Sequence, residues 1–246
     1  MLTRDTAPGA AFAAVAHRGD PYAHRENTLP SIRSAVSAGA TAVEIDVRLT
    51  RDGVPVVVHD ATLKRLWEYD RPVRELSAAR VREVTGDGVP FLHEALAATE
   101  RVRVLIDLPD VSAVRATVAE VRGSGAAGRA YYCGDVAALR AVRHADPDAE
   151  IALTWTTLAP PRPSLLRDLG PRWINYRFGL VSPGLVERAH ADGLLVSAWT
   201  ADTRWSMARL LRAGVDSITT NRIGTLCALL DRRRDRRPGP APGSGR

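Results

Sequence analysis

The stretch "VEIDVRLTRDGVPVVVH", Val43–His59, reads as a β-strand with one polar face, followed by a turn and a second apolar run. Branched Val and Ile side chains favour a pleated strand, and the two-residue period of a strand places Glu44, Asp46 and Arg48 on one face. Carboxylates are rarely buried without a partner. A half-buried strand with a solvated polar face and a metal site both explain this pattern, and periodicity alone does not choose between them.

On either side of this stretch, short apolar runs alternate with helix-like segments. The strand-like runs are AFAAVAH, TAVEIDV with the adjoining VPVVVH, RVRVLIDL, RAYYCG, EIALTW, RWINYRF, LLVSAWT and DSITTN. The helix-like segments are TLPSIRSAVSAG, FLHEALAATE, VSAVRATVAEVRGSG, DVAALRAVRHAD, SPGLVERAHADG, TRWSMARLLRAG and IGTLCALLDRRRD. Alternation of this kind is typical of parallel βα units. Eight strand units in about 230 residues predict an α/β protein with the (β/α)8 TIM-barrel fold. An open doubly wound sheet is the alternative, but no G-x-G-x-x-G motif follows a strand.

The alternation also predicts the domain organisation. We expect one (β/α)8 domain over residues 1–230, with an insertion after the second strand at about residues 62–90. In a barrel, loops that follow strand C-termini build the active-site rim, so we expect the insertion to cap the pocket. The terminal run DRRRDRRPGPAPGSGR predicts a disordered basic tail over residues 231–246.

Composition restricts the function classes. The chain has 246 residues, 45% of them hydrophobic, and a net charge of +6. Because much of the excess charge lies in the tail, we predict no nucleic-acid partner. No apolar run reaches the roughly eighteen residues of a membrane span. We therefore predict a cytoplasmic protein without stable membrane insertion, in which Cys133 and Cys227 are reduced. The sequence leaves the oligomeric state undetermined.

Several polar residues fall at the C-terminal ends of predicted strands. Barrel enzymes keep their chemistry at this end, so a shared location there favours a common site over scattered solvent exposure. The residues at or just after strand ends are His17, Arg18, Glu44, Asp46, His59, Asp107, Trp199 and Asn221.

The segment AHRGDPYAHRENTLPSIRSAVSAGATAVEIDVRLTRDGVPVVVHDATLKRL resembles the signature of the glycerophosphodiester phosphodiesterases. That signature runs HRG, ENT, E-x-D, T-x-D-G-x-P-V and HD, in this order and at this spacing. Weaker similarity continues through VPFLHEAL, GLLVSAWTADT and GVDSITTNR. The resemblance implies a (β/α)8 barrel that hydrolyses a small-molecule glycerophosphodiester to glycerol phosphate and an alcohol, with a divalent cation on the carboxylates and two catalytic histidines.

Carried onto this sequence, the resemblance implies that Glu44, Asp46 and Asp107 bind the cation. All-oxygen ligands favour Mg²⁺ or Ca²⁺ over Zn²⁺. His17 and His59 are the implied general acid and base, because a histidine titrates near neutral pH. The sequence does not say which histidine is the acid and which is the base.

The remaining implied site residues bind or orient the substrate. Arg18 would hold a phosphate oxygen, and Arg48 would either neutralise the carboxylates in part or reach the phosphate. Glu26 and Asn27, in ENT, would orient the site and its metal ligands. Trp199 would offer a flat wall to the glycerol carbons.

This chain departs from the family pattern at the third strand. The family ends that strand with Glu-x-Lys, whereas this chain reads IDLPD, with Asp107 one methylene shorter than Glu and Pro109 in place of the lysine. Cys133 and Gly134 stand where Ser-Phe is common, and Asn221 stands where Asp is common. Three hypotheses therefore remain: hydrolysis of small glycerophosphodiesters, hydrolysis of lysophospholipids or inositol lipids, and a catalytically weak phosphodiester-binding protein.

Overall fold

The structure, a computed structural model, describes residues 12–235. The strands, in chain order, are β1 (Ala13–His17), β2 (Ala42–Leu49), β3 (Pro55–Val57), β4 (Thr62–Leu63), β5 (Tyr69–Pro72), β6 (Arg103–Asp107), β7 (Ala130–Gly134), β8 (Ile151–Trp155), β9 (Trp173–Arg177), β10 (Leu195–Trp199) and β11 (Ser217–Thr220). The α-helices are α1 (Leu29–Ser37), α2 (Lys64–Trp67), α3 (Ala78–Thr85), α4 (Leu92–Ala98), α5 (Val114–Gly123), α6 (Val136–Ala145), α7 (Pro163–Leu169), α8 (Pro183–Ala191), α9 (Arg204–Ala213) and α10 (Ile223–Asp235).

Eight parallel strands close into a barrel. Around the ring their order is β1, β2, β6, β7, β8, β9, β10 and β11, and β11 pairs with β1 to complete it. The predicted (β/α)8 TIM barrel is confirmed, and each of the eight predicted strand units supplies one barrel strand. Helix α7 was not among the predicted helical segments. It has only seven residues and follows a proline-rich loop, so it presents less than two full turns of periodicity.

Helix boundaries follow local capping chemistry. The carboxylate of Asp135 accepts from the backbone N–H of Ala138, and the hydroxyl of Ser182 accepts from that of Leu185. Each therefore satisfies a backbone donor at a helix N-terminus, as the sequence predicted. Gly214 ends α9 with φ +87°, a left-handed conformation that side chains with a Cβ rarely adopt.

The barrel interior has an apolar floor and a polar upper layer. Buried Val15, Leu105, Tyr131 and Trp173 belong to one hydrophobic cluster inside the barrel. Residues two apart on a strand face the same side, so the interior positions above this floor carry polar side chains. The successors two residues on from an interior floor residue include His17, Glu44, Asp107, Cys133, Thr154 and Asn175.

The segment between β2 and β6 is built around a hairpin that leaves the barrel. Strand β2 continues to Leu49 and pairs antiparallel with β3, so that Val47 lies opposite Val57. The predicted insertion, residues 62–90, contains β4, α2, β5 and α3 and packs on its own apolar cluster, which includes Leu63, Val73 and Val81. Its contact with the β1–α1 loop includes the Arg25 guanidinium, 4.3 Å from the Trp67 ring centroid.

At the other end of the chain, α10 runs to Asp235. The helix therefore extends five residues past position 231, the predicted start of the disordered tail, and residues 236–246 lie outside the described residues. Within residues 12–235, no helix is both long enough and apolar enough to cross a membrane.

Candidate active site

One cavity of about 210 Å³ opens at the C-terminal end of the barrel strands. Seven of the ten predicted site residues line it: His17, Arg18, Glu44, Asp46, His59, Asp107 and Trp199. Leu105, Cys133, Thr154, Asn175 and Thr219 complete the lining. The residues that sequence analysis distributed over four strand ends and a neighbouring hairpin therefore meet in one place.

Three carboxylates converge on one side of this cavity. One oxygen each from Glu44, Asp46 and Asp107 lies within 4.8 Å of the others. Asp46 and Asp107 are direct partners in the β2–β6 register, which explains why the shorter side chain of Asp107 still reaches the group. The oxygen donors and their spacing fit a hard divalent cation.

Burial and mutual repulsion act on these carboxylates. Burial, and then the charges of Asp46 and Asp107, hold the pKa of Glu44 well above its usual range. Burial and the charge of Asp46 raise the pKa of Asp107 to about 6. A cluster of this kind resists full ionisation unless a positive charge joins it.

Arg18 supplies one positive charge at the edge of the cluster. Its backbone N–H donates to Glu44 Oε2 at 3.0 Å, and its Nε lies 3.1 Å from Asp46 Oδ2. Arg18 has φ +57°, an uncommon conformation for a non-glycine residue. The next residue, Gly19, has φ +88°, and a Cβ there would lie 2.4 Å from Ser31 Oγ, so this position requires glycine.

The ENT residues support the cluster without lining the cavity. Asn27 is buried, and its Nδ2 donates to Asp46 Oδ2 at 2.7 Å. Glu26 accepts from Arg18 Nη1 at 2.9 Å. Both contacts fit the predicted orienting roles: Asn27 fixes a carboxylate, and Glu26 fixes the arginine.

Arg48 does not reach the cavity. It lies where β2 has left the barrel to pair with β3, and its Nε donates to the backbone carbonyl of His59 at 2.7 Å. Its guanidinium therefore supports His59 rather than a phosphate position. The backbone N–H of Val58 donates to the carbonyl of Asp46 at 2.9 Å, so two bonds bring His59 beside the carboxylates.

His17 is oriented by a chain of two residues. Its Nδ1 lies 2.8 Å from Asn221 Oδ1, and Asn221 Nδ2 donates to Asp202 Oδ2 at 2.8 Å. Asp202 fixes the orientation of the amide, so the Asn221 oxygen accepts from Nδ1–H of His17 and Nε2 is left as the acceptor atom. Burial and then the charge of Arg18 lower the pKa of His17, which favours the neutral ring.

His59 has a different partner. Its Nδ1 lies 2.7 Å from Asp60 Oδ1, and Arg65 Nε donates to Asp60 Oδ2 at 2.6 Å. Hydrogen bonds from Arg65 and His59 lower the pKa of Asp60 to about 2. An ionised carboxylate therefore faces the ring of His59 and stabilises its protonated form.

Sequence analysis missed five residues of this arrangement: Asp60, Arg65, Asn175, Asp202 and Thr219. Asp60 and Arg65 lie within the segment that carries the family resemblance, and Asp202 follows Trp199 in WTADT. Asn175 and Thr219 are polar residues inside the strand-like runs RWINYRF and DSITTN. The reasoning that singled out Glu44 and Asp46, a polar side chain within a strand, applies equally to them.

A family model, the glycerophosphoryl diester phosphodiesterase family, matches residues 17–225. The chain belongs to this family. It is 27% identical over 239 residues to a glycerophosphodiester phosphodiesterase from Caldanaerobacter subterraneus subsp. tengcongensis, an alignment that covers 88% of this chain and 96% of that relative. Membership makes the chain a phosphoric diester hydrolase, so the predicted family and enzyme class are confirmed.

Solved structures of related proteins share the fold. A glycerophosphodiester phosphodiesterase from Agrobacterium tumefaciens superposes with a TM-score of 0.76 at 25% identity, over 87% of this chain and 98% of that one. An Oleispira antarctica phosphodiesterase, solved in complex with the product sn-glycerol-3-phosphate, superposes with a TM-score of 0.79 at 22% identity, over 88% and 96% of the two chains.

Proposed function

We propose that this chain hydrolyses small glycerophosphodiesters to glycerol phosphate and an alcohol, in a reaction that depends on a divalent cation. One observation carries the proposal: three carboxylates, an arginine and two differently supported histidines line a single cavity at the C-terminal end of the barrel. The mixture fits phosphodiester chemistry, which requires charge neutralisation together with proton transfer.

The carboxylates of Glu44, Asp46 and Asp107 would hold the cation, and their all-oxygen character favours Mg²⁺ or Ca²⁺. Such a cation neutralises charge on the phosphate and on the transition state when it is bound. Arg18 is the one arginine among the described residues that line the cavity. It therefore binds a phosphate oxygen in this mechanism, and it does so without the lysine that Pro109 replaces.

The hydrogen bonds of the two histidines assign their roles. His17 is the general base, because Asn221 occupies its Nδ1 and leaves Nε2 to take the proton of the attacking hydroxyl. His59 is the general acid, because ionised Asp60 stabilises its protonated ring. As the new P–O bond forms and the P–O bond to the alcohol breaks, His59 donates its proton to the departing alcohol oxygen.

The cavity favours a small substrate over a lipid. Its volume of about 210 Å³ lies below the roughly 300–1,000 Å³ of sites that enclose drug-sized ligands. Most lining residues are polar or charged, which suits a glycerol phosphate unit better than an acyl chain. The product found in the Oleispira antarctica relative is of this size and chemistry.

Turnover of glycerophosphocholine and glycerophosphoethanolamine in Mg²⁺ tests the proposal. His17→Ala and His59→Ala should each lower kcat by about 10²-fold or more, the usual contribution of a general acid or base. His144, exposed on α6, provides the control, and His144→Ala should turn over at the wild-type rate. Near-wild-type turnover in either cavity variant would show that the histidine in question is structural. Failure of the wild-type protein to hydrolyse either substrate would refute the proposed activity.

A further inference from the structure

Two buried polar side chains face the cavity without a protein partner. Asn175 and Thr219 are 5% and 2% exposed, and neither Asn175 Oδ1 nor Thr219 Oγ1 has a hydrogen-bond partner in the protein. Both residues line the cavity. Buried polar atoms are nearly always hydrogen-bonded in folded proteins, so two such atoms in one cavity call for a ligand that pairs with them.

Their place in the ring separates them from the carboxylates. Asn175 lies on β9, and three strands separate β9 from β2, the strand of Glu44 and Asp46, in either direction around the barrel. Thr219 lies on β11. Between these two strands, β10 ends at Trp199, whose Nε1 donates to the backbone carbonyl of Asn175 at 3.3 Å. The wall opposite the cation site is therefore polar, aromatic and polar in turn.

We infer that Asn175 and Thr219 recognise the hydroxyl groups of the glycerol unit. This inference rests on the proposed function. The amide of Asn175 offers an acceptor, and the hydroxyl of Thr219 both donates and accepts, which matches alcohol O–H groups. Trp199 between them provides an apolar surface for the glycerol carbons.

The same arrangement sets the substrate class. With the phosphate at Arg18 and the glycerol on the β9–β11 wall, the variable alcohol points toward His59, whose side chain is 42% exposed. The site therefore selects the glycerol half of the substrate and accepts different alcohols on the other half. Glycerophosphodiesters as a class, rather than one of their head groups, are the ligands of this cavity.

Calorimetric binding of sn-glycerol 3-phosphate and of inorganic phosphate, both in Mg²⁺, tests the inference without requiring turnover. The wild-type protein should bind sn-glycerol 3-phosphate more tightly than phosphate. Asn175→Leu and Thr219→Val should each raise the Kd for sn-glycerol 3-phosphate by about tenfold, the scale of one lost hydrogen bond, and leave the Kd for phosphate unchanged. Thr219→Val preserves side-chain shape and carries the test if Asn175→Leu does not fold.

Thr117 provides a matched control, because its Oγ1 is also buried without a partner but lies on α5, outside the cavity. Thr117→Val should change neither Kd. Equal losses for both ligands in the Asn175 and Thr219 variants, or no loss for either ligand, would overturn the inference. Turnover of glycerophosphocholine, measured on the same preparations, reports separately on the proposed function.

Discussion

At the scale of single residues, Asn221 determines which nitrogen of His17 is available for chemistry. Its amide oxygen accepts from Nδ1–H, and its own Nδ2 is held by Asp202. Many family members carry aspartate at this position, and a carboxylate there would favour the charged imidazole. A neutral amide keeps the orientation of the ring and leaves its pKa to burial and Arg18, both of which lower it.

Substitution of Asn221 tests this role. Asn221→Asp places a negative charge against Nδ1 and raises the pKa of His17, so the acidic limb of kcat/KM against pH should move to higher pH. Asn221→Leu removes the acceptor and should lower kcat by about tenfold through misorientation of the ring. A pH profile that Asn221→Asp leaves in place would contradict the assignment of His17 as the base.

At the scale of secondary-structure elements, the insertion is joined to the site through Arg65 on α2. Arg65 Nη2 donates to Glu26 Oε1 at 2.6 Å, and Arg65 Nε donates to Asp60 Oδ2 at 2.6 Å. Glu26 in turn contacts Arg18, and Asp60 contacts His59. One side chain of the insertion therefore holds both the phosphate-binding arginine and the general acid through their carboxylate partners.

Loss of this clamp should affect kcat more than stability. Arg65→Ala frees Asp60 and Glu26, so we expect a fall in kcat of about tenfold or more and a change of less than about 1 kcal/mol in the free energy of unfolding, since Arg65 is half exposed. The adjacent Lys64 pairs with Asp70 on the surface, so Lys64→Ala is the control and should keep wild-type turnover. Equal turnover in the two variants would show that the insertion is only a cover.

The sequence predicted the barrel strands because each carries branched apolar residues and ends in a recognisable polar position. It also predicted most of the cavity lining, since His17, Glu44, Asp46 and Asp107 all fall at strand ends. It misplaced Arg48, because the two-residue period places Arg48 beside Asp46 but does not show that β2 leaves the barrel before that position. The Arg65 contacts were beyond sequence reasoning, because the bond to Glu26 joins residues 39 positions apart.

At the scale of the whole molecule, the acidic cluster links stability to pH and to the cation. The pKa of Glu44 and that of Asp107 are raised by burial and repulsion, the latter from 3.8 to about 6. The folded protein therefore binds more protons than the unfolded chain between about pH 4 and 6. The stability that these protons provide is present below about pH 4 and is lost as the pH rises through 6.

Urea unfolding without divalent cations should show this loss. We expect the contribution of Asp107 to fall by about 3 kcal/mol between pH 4 and pH 7, and saturating Mg²⁺ to offset the fall at pH 7. Asp107→Asn should flatten the pH dependence, whereas Asp168→Asn, at an exposed carboxylate on α7, should not. Stability that rises with pH as steeply in Asp107→Asn as in the wild-type protein would count against strain in this cluster.

The most direct test of the central claim, a cation-dependent hydrolase site at the barrel mouth, is a Mg²⁺ titration of glycerophosphocholine turnover by chelator-treated protein. Turnover should be absent in excess chelator, return with Mg²⁺, and require at least about tenfold more Mg²⁺ in Asp107→Asn than in the wild-type protein or in Asp168→Asn. Undiminished turnover in excess chelator, by protein that elemental analysis shows to contain no metal, would contradict the claim.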